Sequence, residues 1–284
     1  VIKGFTTRQL FATLSITGGH CSLNCFYCGS KYIASMTEAM TPESFEKAVR
    51  RMYRDGARGF LVSGGFDAQG RLPLARYLSV MKALKRELGV IFNVHPGLLD
   101  RYTITLMRDA VDMVDYEFAY TKAAFSAKGV RAEREDYIRV LEYLIEEGPE
   151  YIVPHIITGM PGDSKEDLKE AITLASSLKP YLLNFLVLVP TPGTPSFKLS
   201  VNFDEVLEDI TLGSKLMAGK VSLGCMRPYH LKEKLDRAVI ERNLVDRIAN
   251  PHHKVQREFR LPMYDACCSL PEKYLEGFKI EVDN

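Results

Sequence analysis

Short runs of β-branched and aromatic residues alternate along the chain with longer stretches whose apolar positions recur every three or four residues. This alternation predicts repeated strand–helix units around a parallel sheet. The short runs fall at 11–17, 60–63, 90–94, 113–118, 151–158 and 182–189, and helical periodicity occupies 42–55, 74–88, 102–109, 134–147, 165–178 and 204–216. Two of the helices carry start signals. Thr41-Pro42-Glu43-Ser44 offers a capping hydroxyl followed by proline at the first helical position, and Asp163-Ser164-Lys165-Glu166 offers a second cap. Past the sixth unit, 221–225 predicts a seventh strand, 234–242 a helix and 247–249 a short eighth strand. The fold expected is an α/β, TIM-type (βα) barrel, either a complete (βα)8 or a partial (βα)6 with a C-terminal extension. Residues 1–250 are assigned to the barrel and 251–284 to an extension that carries a Cys-Cys pair over the barrel mouth. The loop Val189-Pro190-Thr191-Pro192-Gly193-Thr194-Pro195 follows a strand, which places it at the end where barrel enzymes build their sites. No fixed-period repeat or low-complexity tract interrupts the pattern.

Composition narrows this picture. A hydrophobic fraction of 46% and a charged fraction of 26% over 284 residues suit one globular core. The 37 basic and 36 acidic side chains nearly cancel, so no overall field draws in nucleic acid or an anionic membrane, and neither is expected as a partner. No apolar run approaches the ~20 residues that span a bilayer, and the first residues lack a secretory pattern, which predicts a cytoplasmic protein. Val1 is not a methionine, which leaves room for residues before it. Six cysteines, three of them within 21–28, point to metal or redox chemistry ahead of disulfides.

Cys21-Ser22-Leu23-Asn24-Cys25-Phe26-Tyr27-Cys28 follows the first predicted strand directly. Thiolates at this C-x3-C-x2-C spacing can hold three irons of a [4Fe–4S] cube and leave the fourth open. A structural zinc site normally brings four Cys/His ligands, and the neighbouring His20 is awkwardly placed to be the fourth. Three unligated apolar cysteines are the other alternative. The spacing, with aromatic Tyr27 before the last cysteine, resembles the radical S-adenosylmethionine (SAM) superfamily. The resemblance implies that Cys21, Cys25 and Cys28 hold the cluster, that SAM chelates its open iron, and that reductive cleavage yields a 5′-deoxyadenosyl radical. It further implies SAM contacts from Tyr27, from Ser63, Gly64 and Gly65 after the second strand, and from Ile157, Gly159 and Leu188 on the fifth and sixth strands. Asn93 and His95 share one face of the third strand and are expected to line the barrel. Glu117 and Tyr120, at the end of the fourth strand, match no ribose-binding pattern.

Cys225, Cys267 and Cys268 match the need for a second Fe–S cluster, with Ser269 as a possible oxygen ligand; the alternative is a small core cysteine and an unligated surface pair. The segments 185–195, Gly224-Cys225-Met226-Arg227-Pro228 and the Cys-Cys tail look like biotin-synthase-related proteins, most like a subunit of the two-protein lipoyl synthase. The C-x4-C-x5-C pattern of single-chain lipoyl synthases is absent. This narrower resemblance implies a sulfurtransferase that inserts sulfur into an octanoyl chain on a lipoyl-carrier protein, with the auxiliary cluster as sulfur donor. It also implies a second radical SAM subunit, an electron donor such as ferredoxin, and an apolar path from Phe118, Ile156, Leu186 and Leu188. Two other functions remain open: a radical SAM methyltransferase or carbon-skeleton rearrangement enzyme without an auxiliary cluster, and a non-catalytic metal-binding scaffold.

Overall fold

The structure, a computed structural model, describes residues 1–280. Its strands are β1 (Lys3–Thr6), β2 (Phe11–Ser15), β3 (Thr37–Glu38), β4 (Gly59–Ser63), β5 (Ile91–Val94), β6 (Met113–Glu117), β7 (Tyr151–Thr158), β8 (Leu183–Val187), β9 (Val221–Leu223), β10 (Arg247–Ala249), β11 (Met263–Asp265) and β12 (Lys279–Ile280). The helices are α1 (Pro42–Arg54), α2 (Leu78–Leu88), α3 (Arg101–Met107), α4 (Lys122–Lys128), α5 (Arg134–Glu147), α6 (Lys165–Ser177), α7 (Phe203–Leu216), α8 (Tyr229–Glu241) and α9 (His253–Glu258). All strands join one sheet in the order β12-β11-β1-β10-β9-β8-β7-β6-β5-β4-β2-β3. Every pairing is parallel except β11 with β12. The result is an α/β fold with a curled, open sheet: the partial-barrel alternative holds, and the two edges do not pair to close a ring.

Period-two alternation sorts the side chains of each strand. Phe60, Val62, Phe92, Val94, Val114 and Tyr116 point outward into a core shared with the helices. Their neighbours Leu61, Ser63, Asn93, Asp115 and Glu117 face the bore. At the end where the strands begin, Phe11, Ile91 and Met113, each the first residue of its strand, close the bore with Phe5 and with Leu270, Leu275 and Phe278 from the C-terminal segment. The C-terminal segment therefore packs into the bore at the end where the strands begin. Residues 281–284 of the expected extension lie outside the described residues. Buried Arg247 fixes this insertion. Its Nη1 donates to the carbonyls of Cys268, at 2.9 Å, and Leu270, and its Nη2 to Tyr181 Oη at 2.8 Å and Glu272 Oε1 at 2.7 Å.

The short elements β1, β3, β11, β12, α4 and α9 and the start of α8 escape the sequence pattern. β1, four residues with no clear alternation, inserts between β10 and β11. α8 starts at Tyr229, just after Pro228, and not at 234. Among the described residues no helix is long and apolar enough to cross a membrane.

The open seam between β11 and β2 is laced by one carboxylate. Asp265 accepts hydrogen bonds from Arg8 N at 2.6 Å and Leu10 N at 2.8 Å, while the rings of Phe11 and Phe278 meet with centroids 5.8 Å apart. Asp265→Ala leaves both amides without their partner and is expected to destabilise the fold by about 1–3 kcal/mol. Urea unfolding measures it, and a change below about 0.5 kcal/mol would show that water replaces the carboxylate.

Candidate active site

The cysteine loop leaves β2 at its finishing end and is clamped from two sides. Ser22 N donates to Phe66 O at 2.8 Å and Phe66 N donates to Cys21 Sγ at 3.3 Å, which ties the loop to the turn after β4. Phe26 N donates to Ala127 O at 2.7 Å, which ties it to α4. Between the clamps the chain winds tightly: Cys28 N and Gly29 N both donate to Cys25 O at 3.0 Å, and Asn24 adopts a left-handed φ of 46°. The three thiols are free and half-buried. Burial pushes the Cys25 thiol up to about 12, partly offset by Lys128, with Cys28 and Cys21 close enough to disfavour a second thiolate. Ligation must therefore accompany deprotonation, as metal binding does. Among the described residues no three His, Cys, Asp or Glu side chains converge to hold a single metal ion. A cube takes its thiolates on three separate irons, and three cysteines on one tightly wound loop supply that donor set.

Several residues expected to contact SAM gather beside this loop. Gly65 N donates to Thr17 Oγ1 at 2.6 Å, and a side chain at Gly65 would run into His20 O and Cys21, so this glycine lets the cysteine loop pack down. Gly159 has a φ of 82° and faces Val201, Ile157 is half-buried beside it, and Leu188 is fully buried. Ser63 is buried at the end of β4. Tyr27 is buried, and its hydroxyl donates to Glu117 Oε1 at 3.0 Å. Glu117 Oε2 in turn lies 2.8 Å from Lys128 Nζ, whose side chain keeps only 5% of its surface exposed. Burial would raise the Glu117 carboxyl, but Lys128 and Tyr27 hold it below its ordinary value. A buried cation is thus held next to Cys25. Sequence reading missed Lys128, at the end of a seven-residue helix with no signal of its own, and left Glu117 unmatched.

Asn93 and His95 turn toward a second carboxylate, Asp115, deeper in the bore. Asn93 Nδ2 donates to Asp115 Oδ2 at 2.8 Å, His95 Nε2 lies 3.1 Å from the same oxygen, and His155 Nε2 lies 3.4 Å from Oδ1. Asn184 Nδ2 stands 3.1 Å from His155 Nε2. Burial would raise Asp115, yet His155 and His95 hold it well below the carboxylate range. The sequence signal was present: Asp115 and Glu117 are the two acids on one face of an otherwise apolar strand.

Of the distal cysteines, Cys267 meets this carboxylate. Cys267 Sγ donates to Asp115 Oδ2 at 3.3 Å, and Ser269 Oγ donates to Oδ1. Sharing of its proton with Cys268, burial and Asp115 together hold the Cys267 thiol well above its ordinary value. Cys268 is buried, with Ser222 nearby. Cys225 follows β9 and is exposed at its surface, yet desolvation and the nearby Cys268 push its thiol up to about 11. Tyr32, whose phenol burial raises, lies within electrostatic reach of both Cys28 and Cys225. Cys28 and Cys225, one from each cysteine set, thus both lie near Tyr32. Of the expected apolar path, Leu186 faces this bore beside Gly224, whereas Ile156, next to inward His155, points outward into the helix core.

A curled α/β sheet with a three-cysteine loop on its first barrel strand defines an iron–sulfur enzyme domain. The chain belongs to the radical SAM superfamily, whose family model matches residues 15–175. Among curated proteins it is similar to the tRNA-2-methylthio-N(6)-dimethylallyladenosine synthase of Natranaerobius thermophilus, 21% identical in an alignment of 233 residues that covers 78% of this chain and 51% of that protein. It is also similar to the ribosomal protein uS12 methylthiotransferase of Petrotoga mobilis, 19% identical in an alignment of 248 residues that covers 81% of this chain and 57% of that one. The chain spans about half the length of these relatives. Among solved structures it shares its fold with methylornithine synthase, at a TM-score of 0.61 and 16% identity over 87% of this chain and 72% of that one. The hydrogenase maturase HydG of Carboxydothermus hydrogenoformans gives 0.62 and 14% identity over 96% and 70%.

These relatives overturn the narrower resemblance to biotin-synthase-related proteins and a lipoyl synthase subunit, because the curated proteins matched are methylthiotransferases. The segments that suggested it are Pro/Gly turns and strand ends, which report barrel geometry more than substrate. Two of the expected partner assignments fall with it: the octanoylated lipoyl-carrier protein and the exclusion of nucleic acid. The names of the relatives specify tRNA or a ribosomal protein.

Lys128→Met strands Glu117 without its cation and is expected to cost on the order of 2 kcal/mol, below the full toll of a buried pair because Glu117 keeps 28% of its side-chain surface exposed. Adding Glu117→Gln should recover part of that loss in urea unfolding; equal destabilisation by single and double variants would contradict the pairing.

Beside Gly159, burial raises the carboxyls of Asp163 and Asp209 to about 6 each, and Asp209 also feels Asp163. Since their folded values lie above the ordinary 3.8, their contribution is full at low pH and fades as pH rises through 6. Melting temperature should therefore gain from these sites between pH 7 and pH 5, and Asp163→Asn should flatten that gain. An unchanged pH profile in the variant would show that Asp163 ionises normally.

Proposed function

We infer that this chain is a radical SAM enzyme that inserts sulfur at an unactivated carbon of a macromolecular substrate, with a second Fe–S cluster as the sulfur source. The observation that carries this reading is that Cys225, after β9, lies within electrostatic reach of Cys268 and of Asp115, the bore carboxylate that Cys267 meets at 3.3 Å, although Cys225 and the Cys267–Cys268 pair stand far apart in sequence. The likeness to methylthiotransferases supports sulfur and methyl chemistry as the class.

Cys21, Cys25 and Cys28 would hold the first cluster, and Cys225, Cys267 and Cys268 the second, with Ser269 adding an oxygen. When bound, the first cluster and SAM supply a 5′-deoxyadenosyl radical able to take hydrogen from an unreactive C–H bond. The chain's own residues bind, position and exclude water. Ser63, Gly64, Ile157, Gly159 and Leu188 line the region for SAM. Gly65 lets the cysteine loop approach β4, Tyr27 and Glu117 form its inner wall, and Lys128 places a positive charge beside Cys25 that offsets the negative charge of a thiolate-bound cube. Asn93 and His95 belong to the Asp115 network and reach SAM less directly than their strand position suggests. Tail residues Leu270, Leu275 and Phe278 close the floor, which keeps a reactive radical from water entering below.

Anaerobic reconstitution followed by iron and sulfide quantification tests this. The wild-type chain should hold about eight iron atoms, two cubes' worth. Cys225→Ala, Cys267→Ala and Cys268→Ala together should leave about four and still release 5′-deoxyadenosine from SAM under dithionite. A wild-type chain saturating at about four iron atoms would refute the second cluster.

A further inference from the structure

Lys128 is a cation with almost no access to water, placed where the first cysteine loop touches α4. Two main-chain hydrogen bonds put it there. Phe26 N donates to Ala127 O at 2.7 Å, and Gly129, with a left-handed φ of 61°, ends α4 by donating its N–H to Phe125 O at 3.0 Å. Neither bond uses a thiol, so both persist when Cys25 gives up its proton to bind iron. The carbonyls of Ala127 and Lys128 point at the loop, the latter 3.9 Å from Cys25 Sγ. Such a helix end is unfavourable beside an anionic cluster, and a cation in the last turn offsets it. Three neighbours hold the ammonium inside: Glu117 Oε2 at 2.8 Å from Nζ, and the rings of Phe66 and Tyr137 with centroids at 5.9 and 6.0 Å. Tyr27 Oη takes the other oxygen of Glu117 at 3.0 Å. The pair is oriented, because Lys128 acts on the Cys25 sulfur more strongly than Glu117 does, and Glu117 keeps 28% of its side-chain surface exposed. Cys25 therefore faces the positive end of a buried dipole. Apolar residues of equal volume often stabilise such a place as well or better, so packing alone does not account for a lysine here.

We propose that Lys128 sets the reduction potential of the first cluster: its ammonium stabilises the reduced, more negative form of the cube held by Cys21, Cys25 and Cys28, and Glu117 limits that effect from the far side. This rests on the first-cluster reading above and is independent of the second cysteine set. Reduction takes one electron from a low-potential one-electron donor and adds one negative charge to a cube already bound by three thiolates. In a buried site the added charge is unfavourable, and net charge, hydrogen bonds to sulfur and solvent exposure set the potential at which it is accepted. Lys128 supplies a fixed positive charge within the packing of the loop. Phe66 N, 3.3 Å from Cys21 Sγ, supplies an N–H donor that ligation does not remove. Lys128 thus acts through its field at Cys25 and not as a ligand.

The test uses the full chain with Cys225, Cys267 and Cys268 replaced by alanine, reconstituted anaerobically with ferrous iron and sulfide so that only the first site is loaded, and studied without SAM. This protein should hold about four iron atoms per chain. Electron paramagnetic resonance follows the reduced fraction across a series of poised potentials. Lys128→Met should lower the reduced-to-oxidised ratio at a given potential by roughly tenfold, a shift of about 59 mV to lower potential for one electron. Glu117→Gln, which can still accept the Tyr27 hydrogen bond but carries no charge, should shift the potential the opposite way, and the double variant should return toward the starting value. A role limited to packing would loosen the loop in both single variants, so that their potentials move together or not at all. That result would overturn the inference while leaving the cluster in place. If Lys128→Met does not fold, the upward shift in Glu117→Gln decides the matter. Failure of the chain with intact Cys21, Cys25 and Cys28 to bind iron would instead overturn the first-cluster reading, and this inference with it.

Discussion

Placing a carboxylate in the centre of a barrel bore is unfavourable by several kcal/mol unless hydrogen-bond donors meet it there. Asp115 is placed so, and the surrounding architecture supplies the donors: one strand on either side of β6 and the returning tail. That requirement links parts of the chain more than 150 residues apart, since Cys267 and Ser269 reach Asp115 only if β1, β10 and β11 continue the sheet and carry the tail beneath it. Arg247 answers the same demand from the opposite wall by taking up main-chain carbonyls that the tail would otherwise bury unpaired.

The bore is consequently layered. An apolar floor of Phe11, Ile91, Met113 and the tail residues lies below the carboxylate layer of Asn93, Asp115, His155 and Asn184. Above this come Glu117, Lys128 and Tyr27, which support the cysteine loop. Only inward positions of the strands carry chemistry, and the outward positions are spent on packing against helices. The same alternation places Ile156 and His155, adjacent in sequence, in opposite environments: one a core residue, the other part of the site.

Much of this was legible from the pattern of residues. Strand and helix periodicity located the six main units to within a few residues, because each amphipathic face is written locally, and Cys21, Cys25 and Cys28 declared the family by spacing alone. Long-range placement was not legible. β1 has too few residues to show a period, the tail's path into the bore depends on sheet curvature, and Lys128 becomes informative only once α4 is seen against the cysteine loop. Substrate was misread for a related reason: short turn motifs recur wherever barrels need the same bend, so they carried the fold correctly and the partner incorrectly.

The central claim is that one chain holds two chemically distinct iron–sulfur sites, one with an iron open to SAM and one without. Mössbauer spectroscopy of the full chain reconstituted with iron-57, recorded before and after addition of SAM, addresses it directly. The account predicts two cluster populations of equal weight, with SAM perturbing a single iron of one and leaving the other unchanged. A single population, all of which responds to SAM, would contradict it.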